Sequence, residues 1–325
     1  MHPADSPGQP AGDRSVLVLG LPRAGATWVA ETLAAGPGTR LVNEPDNETS
    51  RPFAVRAKLP LGRYPVLGAG ERAPQEYRTL WERAFGGADA ADGPRTRIAE
   101  ALLRRLSPAE RWNGFCRPRP GASPGLRAIS ALAVPPAPRD TPSRVVVKSA
   151  HAAFAAEWIA ARWQPHVVIV LRHPYNAVAS WTELGWGGCG LAGNQKIVER
   201  YVRKLGLPAL APNCSRLSRV AWEIGLQLSA LGAAAAQHPD WVVVRHEDLC
   251  LDRVGRFQAL YAALGLDWTH EVEVHLKRSN RPAEGLVTMR VAEEQPERWR
   301  RRLSADQVEE IARVLDLFPA VPSSR

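Results

Sequence analysis

Short runs of aliphatic and β-branched residues recur along the chain, and most are followed by a stretch with helical spacing of apolar positions. Residues 15–20 (SVLVLG), 144–148 (RVVVK), 166–171 (HVVIVL) and 241–245 (WVVVR) are apolar runs of strand length. Runs of this kind, with no polar alternation, predict strands buried on both faces. Leu41 and Val42 predict a further short strand that runs into Asn43, Glu44 and Pro45. A helix is predicted over 26–35, ended by Gly36, Pro37 and Gly38. Others are predicted over 152–163, over 175–183 with Pro174 in the first turn, over 220–237 and over 253–264. The order is strand, then helix, repeated. It predicts an α/β fold: a three-layer sandwich with a central parallel sheet and helices on both faces. Ligands of such sheets bind at the carboxyl ends of the strands.

Two segments interrupt this order. Residues 46–140 hold helix-like patches near 75–84 and 96–105, and the proline-rich stretch 117–142 predicts an extended loop. Residues 185–215 predict a Gly-rich insertion around a helix near 194–204. The polar residues 1–14 predict a disordered tail, leaving 15–325 as a single domain with two insertions.

Composition narrows the function classes. The chain has 325 residues, 45% hydrophobic and 23% charged, which is an ordinary globular balance. Its formal net charge is +9, and only five of its 42 basic residues are Lys. That excess suits an anionic ligand, although an Arg-favouring genome produces the same bias. No dense basic run with interleaved aromatics is present, which argues against nucleic-acid binding. Cys116, Cys189, Cys214 and Cys250 form no CxxC pair, so no metal is expected. Cys189 and Cys214 flank one insertion and would pair in an oxidising compartment, but four reduced thiols are the expectation. The first residues lack the apolar core of a signal peptide, and no run of membrane-spanning length occurs. A cytoplasmic protein without a membrane partner is expected.

Chemistry begins at residues 20–28, GLPRAGATW. Gly20 and Gly25 have the G-x4-G spacing of a P-loop, whose backbone N–H groups and following helix cradle an anion. A nucleoside-triphosphate loop places Lys after the second Gly, then Ser or Thr. Ala26 stands at the Lys position and Thr27 keeps the hydroxyl. A small-molecule kinase or NTPase is thereby disfavoured. Arg23 supplies a cation earlier in the loop.

Residues 22–28 (PRAGATW) resemble the 5′-phosphosulfate-binding loop, P-K/R-S-G-T-T-W, of sulfotransferases that use 3′-phosphoadenosine 5′-phosphosulfate (PAPS). Ala24 and Ala26 depart from that pattern and remove two hydroxyls. Residues 166–181 (HVVIVLRHPYNAVASW) resemble the 3′-phosphate motif of the same family, in which Arg172 ends the strand and Ser180 lies eight residues on. Residues 242–249 (VVVRHEDL) resemble a later Tyr-Glu-Asp-Leu segment, with His246 in place of Tyr. Residues 298–304 (RWRRRLS) resemble the basic segment before the last helix of bacterial members. The resemblance covers about 15–45 and 144–315 and is weak or absent across 46–140 and 185–215.

The resemblance implies a PAPS-dependent enzyme that needs no metal. It implies that Pro22, Arg23, Ala24, Gly25, Ala26, Thr27, Trp28, Arg172, Ser180, Arg300 and Arg301 hold the donor. It implies that Arg23 also stabilises charge on the leaving phosphate, and that Lys148 faces the transferring sulfuryl group. The acceptor hydroxyl needs a base. Glu44 is the first candidate and His151, in the segment VKSAH, the second. A small-molecule or carbohydrate acceptor is expected against 46–140 and 185–215, where Trp81, Trp112, Trp181 and Trp186 lie in or near. A catalytically silent homologue that binds only the nucleotide product remains the other alternative.

Overall fold

The computed structural model describes residues 14–88, 93–107, 110–111, 115, 123–137, 144–188, 190–281 and 291–318. Most of the expected tail, Trp112, Cys116 and Cys189 lie outside the described residues, and so does the alternative Cys189–Cys214 pairing. Cys214 and Cys250 are free thiols.

Five strands form one parallel sheet: β1 (Val16–Gly20), β2 (Thr39–Asn43), β3 (Arg144–Ser149), β4 (His166–Leu171) and β5 (Val242–Arg245). Their spatial order is β2-β3-β1-β4-β5. The continuous apolar runs have the reason expected. Leu17, Leu19, Val145, Val147, Val167 and Ile169 point into one core, and Val16, Val18, Val146, Val168 and Val170 into another on the opposite face. Each face is covered by helices, which makes the three-layer sandwich. On the first face lie α6 (Ala156–Trp163), α7 (Pro174–Glu183), the 22-residue α8 (Arg216–Gln237) and α12 (Ala305–Leu315). On the second lie α1 (Ala26–Leu33), α9 (His246–Leu251), α10 (Arg253–Ala263) and α11 (His270–Ser279). A buried Val, Leu or Ile side chain contributes about 1.5–3 kcal/mol, so the strand positions anchor the fold. At the sheet edge β5 differs: Val242 and Val244 pack on the second core, while Val243 and Arg245 point to the opposite face and are exposed there.

The segment read as two helical patches and a loop holds four helices among its described residues. It holds α2 (Pro52–Lys58), α3 (Gln75–Phe85), α4 (Pro94–Arg105) and α5 (Pro124–Leu132). Helix α5 falls within the stretch expected to be an extended loop, and that expectation is corrected. Ser123 caps α5 by accepting from the Leu126 N–H, and Pro124 occupies a first-turn position that needs no donor. Leu126 and Ile129 then close a satellite core with Val55, Ala99, Leu103 and Phe115. Among the described residues no helix is long and apolar enough to cross a membrane.

Candidate functional site

All five strands run in one direction, so their carboxyl ends meet along one edge of the sheet. The turn after β1 is tight. Arg23 (φ 72°) and Gly25 (φ 88°) both adopt left-handed backbone. At Gly25 a Cβ atom would sit 2.1 Å from Cδ2 of His246, so the ring after β5 presses on the loop where a side chain has no room. The loop is held from outside: Trp181 Nε1 donates to the Pro22 carbonyl at 2.8 Å, and Arg172 Nη1 to the Arg23 carbonyl at 2.5 Å. Gly25 caps α1 without a side chain, which leaves the first amides of that helix to an anion. Ala24 and Ala26, where the resembling loop carries hydroxyls, are buried in the two main cores. Thr27 is half-buried. The indole of Trp28 donates to Ser279 Oγ at 3.1 Å.

Arg172 and Ser180 come to the same place. Arg23 Nε lies 3.3 Å from Ser180 Oγ, its acceptor on α7. Burial brings the Arg172 guanidinium down to about 10; the Glu247 carboxylate opposes the fall, while the charges of Arg23 and Arg302 add to it. Arg172 Nε is buried without a hydrogen-bond partner among the described residues. The Arg23 and Arg172 guanidinium groups and the Ser180 hydroxyl therefore converge beside the uncapped amides. Such a set fits an anion carrying more than one phosphate.

Arg302 did not stand out in the sequence. Arg300 and Arg301 did, and both are exposed. Arg300 pairs with Glu297 and lies 4.4 Å over the Trp299 ring, whereas Arg302 pairs with Glu183 on α7. The basic run was legible, but which Arg reaches α7 depends on the tight helical turn Arg298–Arg301. This segment is docked on α7. Asn176 donates to the Pro296 carbonyl at 2.8 Å and accepts from the Trp299 N–H at 3.0 Å. Trp299 stacks on His173, with centroids 5.6 Å apart.

At the other side of the edge, Glu44 follows β2 and Lys148 nearly ends β3. The Glu44 N–H donates to the Lys148 carbonyl at 2.8 Å, and the Lys148 ammonium pairs with Glu44 Oε1. Asn47 Nδ2 donates to Glu44 Oε2 at 2.6 Å. Burial pushes the Glu44 carboxyl up, but Lys148, His151 and the hydrogen bonds from Lys148 and Asn47 together hold it at about 2. Lys148 is buried, and an unpaired buried ammonium costs several kcal/mol, so Glu44 is what makes its position tenable.

His151 lies deeper. Its Nδ1 is 3.5 Å from Lys58 Nζ and 3.8 Å from Glu48 Oε2, and burial with the charge of Lys58 pushes the imidazole down to about 3. Around it is a buried ionic network that sequence reading missed. Lys58 Nζ donates to the Asp46 carbonyl at 2.8 Å and to Glu48 Oε2 at 2.5 Å, and Arg63 pairs with Glu48 Oε1 at 2.8 Å. Ser149 Oγ lies 2.8 and 2.9 Å from the two Asp46 carboxylate oxygens, and burial raises that carboxyl to about 6. Nothing in the string NEPDNE marks Asp46 and Glu48 as buried; Lys58, from α2, meets them there.

Two aromatics expected near an acceptor are core residues. Trp81 and Trp181 are 0% and 1% exposed. Trp186 is half-buried.

A model of the sulfotransferase family matches residues 15–270. No curated protein matches the chain. Among solved structures, the sulfotransferase domain from the curacin biosynthetic pathway is 13% identical, with 93% of this chain and 97% of that one covered and a TM-score of 0.44. The sulfotransferase domain of the Synechococcus PCC 7002 olefin synthase is 13% identical, with coverage of 95% and 97% and a TM-score of 0.40. Sulfotransferase STF9 from Mycobacterium avium is 14% identical, with coverage of 98% and 79% and a TM-score of 0.41.

Proposed function

The chain belongs to the sulfotransferase family, and from that premise we propose that it transfers a sulfuryl group from PAPS to a hydroxyl of a small-molecule or carbohydrate acceptor. On this reading residues 15–325 form one domain of a bacterial cytoplasmic enzyme, with 46–140 and 185–215 on the acceptor side. The observation that supports it best is the meeting of Arg172 and Ser180 with Arg23 beside the loop. Two phosphate-binding groups at adjacent strand ends suit a nucleotide with phosphates at both its 3′ and 5′ ends.

The bound donor supplies an electron-poor sulfuryl group on its 5′-phosphate. The residues then have separable tasks. Loop amides, Arg23 and Thr27 face the 5′-phosphate and stabilise the charge left on it. Arg172, Ser180 and Arg302 hold the 3′-phosphate. Lys148 turns from Glu44 toward the transferring group. Glu44 Oε1, released from the ammonium, loses the attraction that holds its carboxyl at about 2. It becomes a stronger base and takes the acceptor proton. The pair thus keeps the base quiet until an anionic group draws Lys148 away.

Thermal unfolding with 3′-phosphoadenosine 5′-phosphate, with ATP and with buffer tests the reading. A ligand at a hundred times its Kd stabilises by about 2.7 kcal/mol. We expect a raised Tm with the bisphosphate nucleotide and no comparable rise with ATP. No shift with the bisphosphate would sink the proposal. Binding without transfer from labelled PAPS to any of a broad acceptor panel would identify a silent homologue instead.

A further inference from the structure

We propose that Lys58 is a positioning residue that holds His151 as a neutral imidazole protonated on Nε2, so that His151 serves the reaction as a hydrogen-bond donor and leaves Glu44 as the only base. The functional half of this rests on the sulfuryl-transfer reading above; the structural half does not.

Lys58 ends α2 and is fully buried. Its ammonium has three protons and no lone pair. One proton is directed at the Asp46 carbonyl (2.8 Å) and one at Glu48 Oε2 (2.5 Å). The next polar atom is His151 Nδ1, at 3.5 Å. A nitrogen facing a group that only donates must present its lone pair, so the ring proton belongs on Nε2. The opposite tautomer would aim an N–H at the ammonium. Its alternative acceptor, Glu48 Oε2, is 3.8 Å away and already accepts from Lys58.

A doubly protonated ring is worse still. It would add a third buried cation beside Lys58 and Arg63, with Glu48 and Glu44 as the facing carboxylates and Asp46 reaching it only through Ser149. The ring has little freedom to turn away. The backbone N–H of His151 donates to Ser149 Oγ at 3.0 Å, and the Tyr64 ring stands edge-on to the imidazole with centroids 5.6 Å apart. With Nδ1 turned to an ammonium, the ring has no lone pair to offer an acceptor hydroxyl. What it offers is the Nε2–H.

The tautomer is read by NMR of the protein labelled with 15N-histidine, without any donor or acceptor present. His151 is assigned by the signal lost in His151→Gln. We expect an unprotonated Nδ1 and a protonated Nε2 that do not change between pH 5 and 8. In Lys58→Met we expect the signal to titrate within that range. A proton on Nδ1, or titration of the wild-type ring between pH 5 and 8, overturns the proposal, even if Lys58→Met fails to fold.

The role is read by turnover. His151→Ala should lose about 10²-fold in kcat, the scale of a removed transition-state donor. His151→Gln, which keeps an N–H near the Nε2 position, should recover at least about tenfold of that loss. Equal losses in the two variants overturn the donor role. Lys58→Met should gain an ionisation in its pH–rate profile that disappears in Lys58→Met/His151→Gln. Failure to bind the bisphosphate nucleotide would strike the sulfuryl-transfer reading and leave the NMR result standing.

Discussion

Glu44 meets two demands that conflict. Its charge makes the burial of Lys148 tenable, and the same pairing holds its carboxyl at about 2, where it is a feeble base. A variant that still accepts the Lys148 hydrogen bond but cannot take a proton separates the two. Glu44→Gln should fold with lowered stability, because the buried Lys148 ammonium loses its counter-charge, should still bind 3′-phosphoadenosine 5′-phosphate, and should lose about 10²–10⁴-fold in kcat. Turnover near the wild-type level in that variant would remove Glu44 from the base role. At this scale the sequence was legible where the backbone itself sets the residue. Gly25 needs positive φ and has the His246 ring against it, so its spacing from Gly20 was visible. Asp46, Glu48 and Lys58 were not visible. Nothing in a local string separates a buried charge from a solvated one, and their partners lie 10 to 12 residues away or farther.

Among elements, the buried strands were the easiest to read. Residues packed on both faces leave no place for polar alternation, so β1, β3 and β4 carry their burial in their composition. Helix α5 was hidden by prolines that are punctuation at its start and not evidence of an extended chain. The segment 291–303 was visible as basic but not as docked. Its attachment depends on Asn176 and on the Trp299–His173 stack, which join elements more than 100 residues apart. Trp299 is 7% exposed. Trp299→Ala should cost about 3–5 kcal/mol of local stability. Amides of 291–303 should then exchange faster while those of the sheet hold. Because Arg302 rides on this segment, affinity for the bisphosphate nucleotide should fall as well. Unchanged protection of 291–303 in Trp299→Ala would show that the stack does not hold it.

The described residues bury several titratable groups, and their signs decide how the molecule meets acid. Burial lowers the imidazoles of His151, His173, His246 and His275. A histidine whose folded pKa lies below the unfolded value near 6.5 contributes stability that is present above 6.5 and lost as pH falls toward the folded value. Each pH unit traversed in that window costs about 1.4 kcal/mol per fully buried group, so His151 alone removes about 2 kcal/mol between pH 6.5 and 5. Asp46 acts in the opposite sense. Burial raises it from 3.8 to about 6, so its contribution is full below 3.8 and is lost as pH rises through 6. One carboxyl opposes four imidazoles between pH 6.5 and 5, and the imidazoles win. Glu44 and Glu48, both held at about 2, add their loss only below 4.5. Calorimetric unfolding should therefore show Tm falling from pH 7 to 5, with net proton uptake on unfolding, and falling more steeply below 4.5. His151→Gln should flatten the first part of that fall and leave the second. A Tm that stays level or rises from pH 7 to 5 would mean that these rings are protonated inside the fold. That outcome would also undo the neutral His151 on which the division of labour with Glu44 depends.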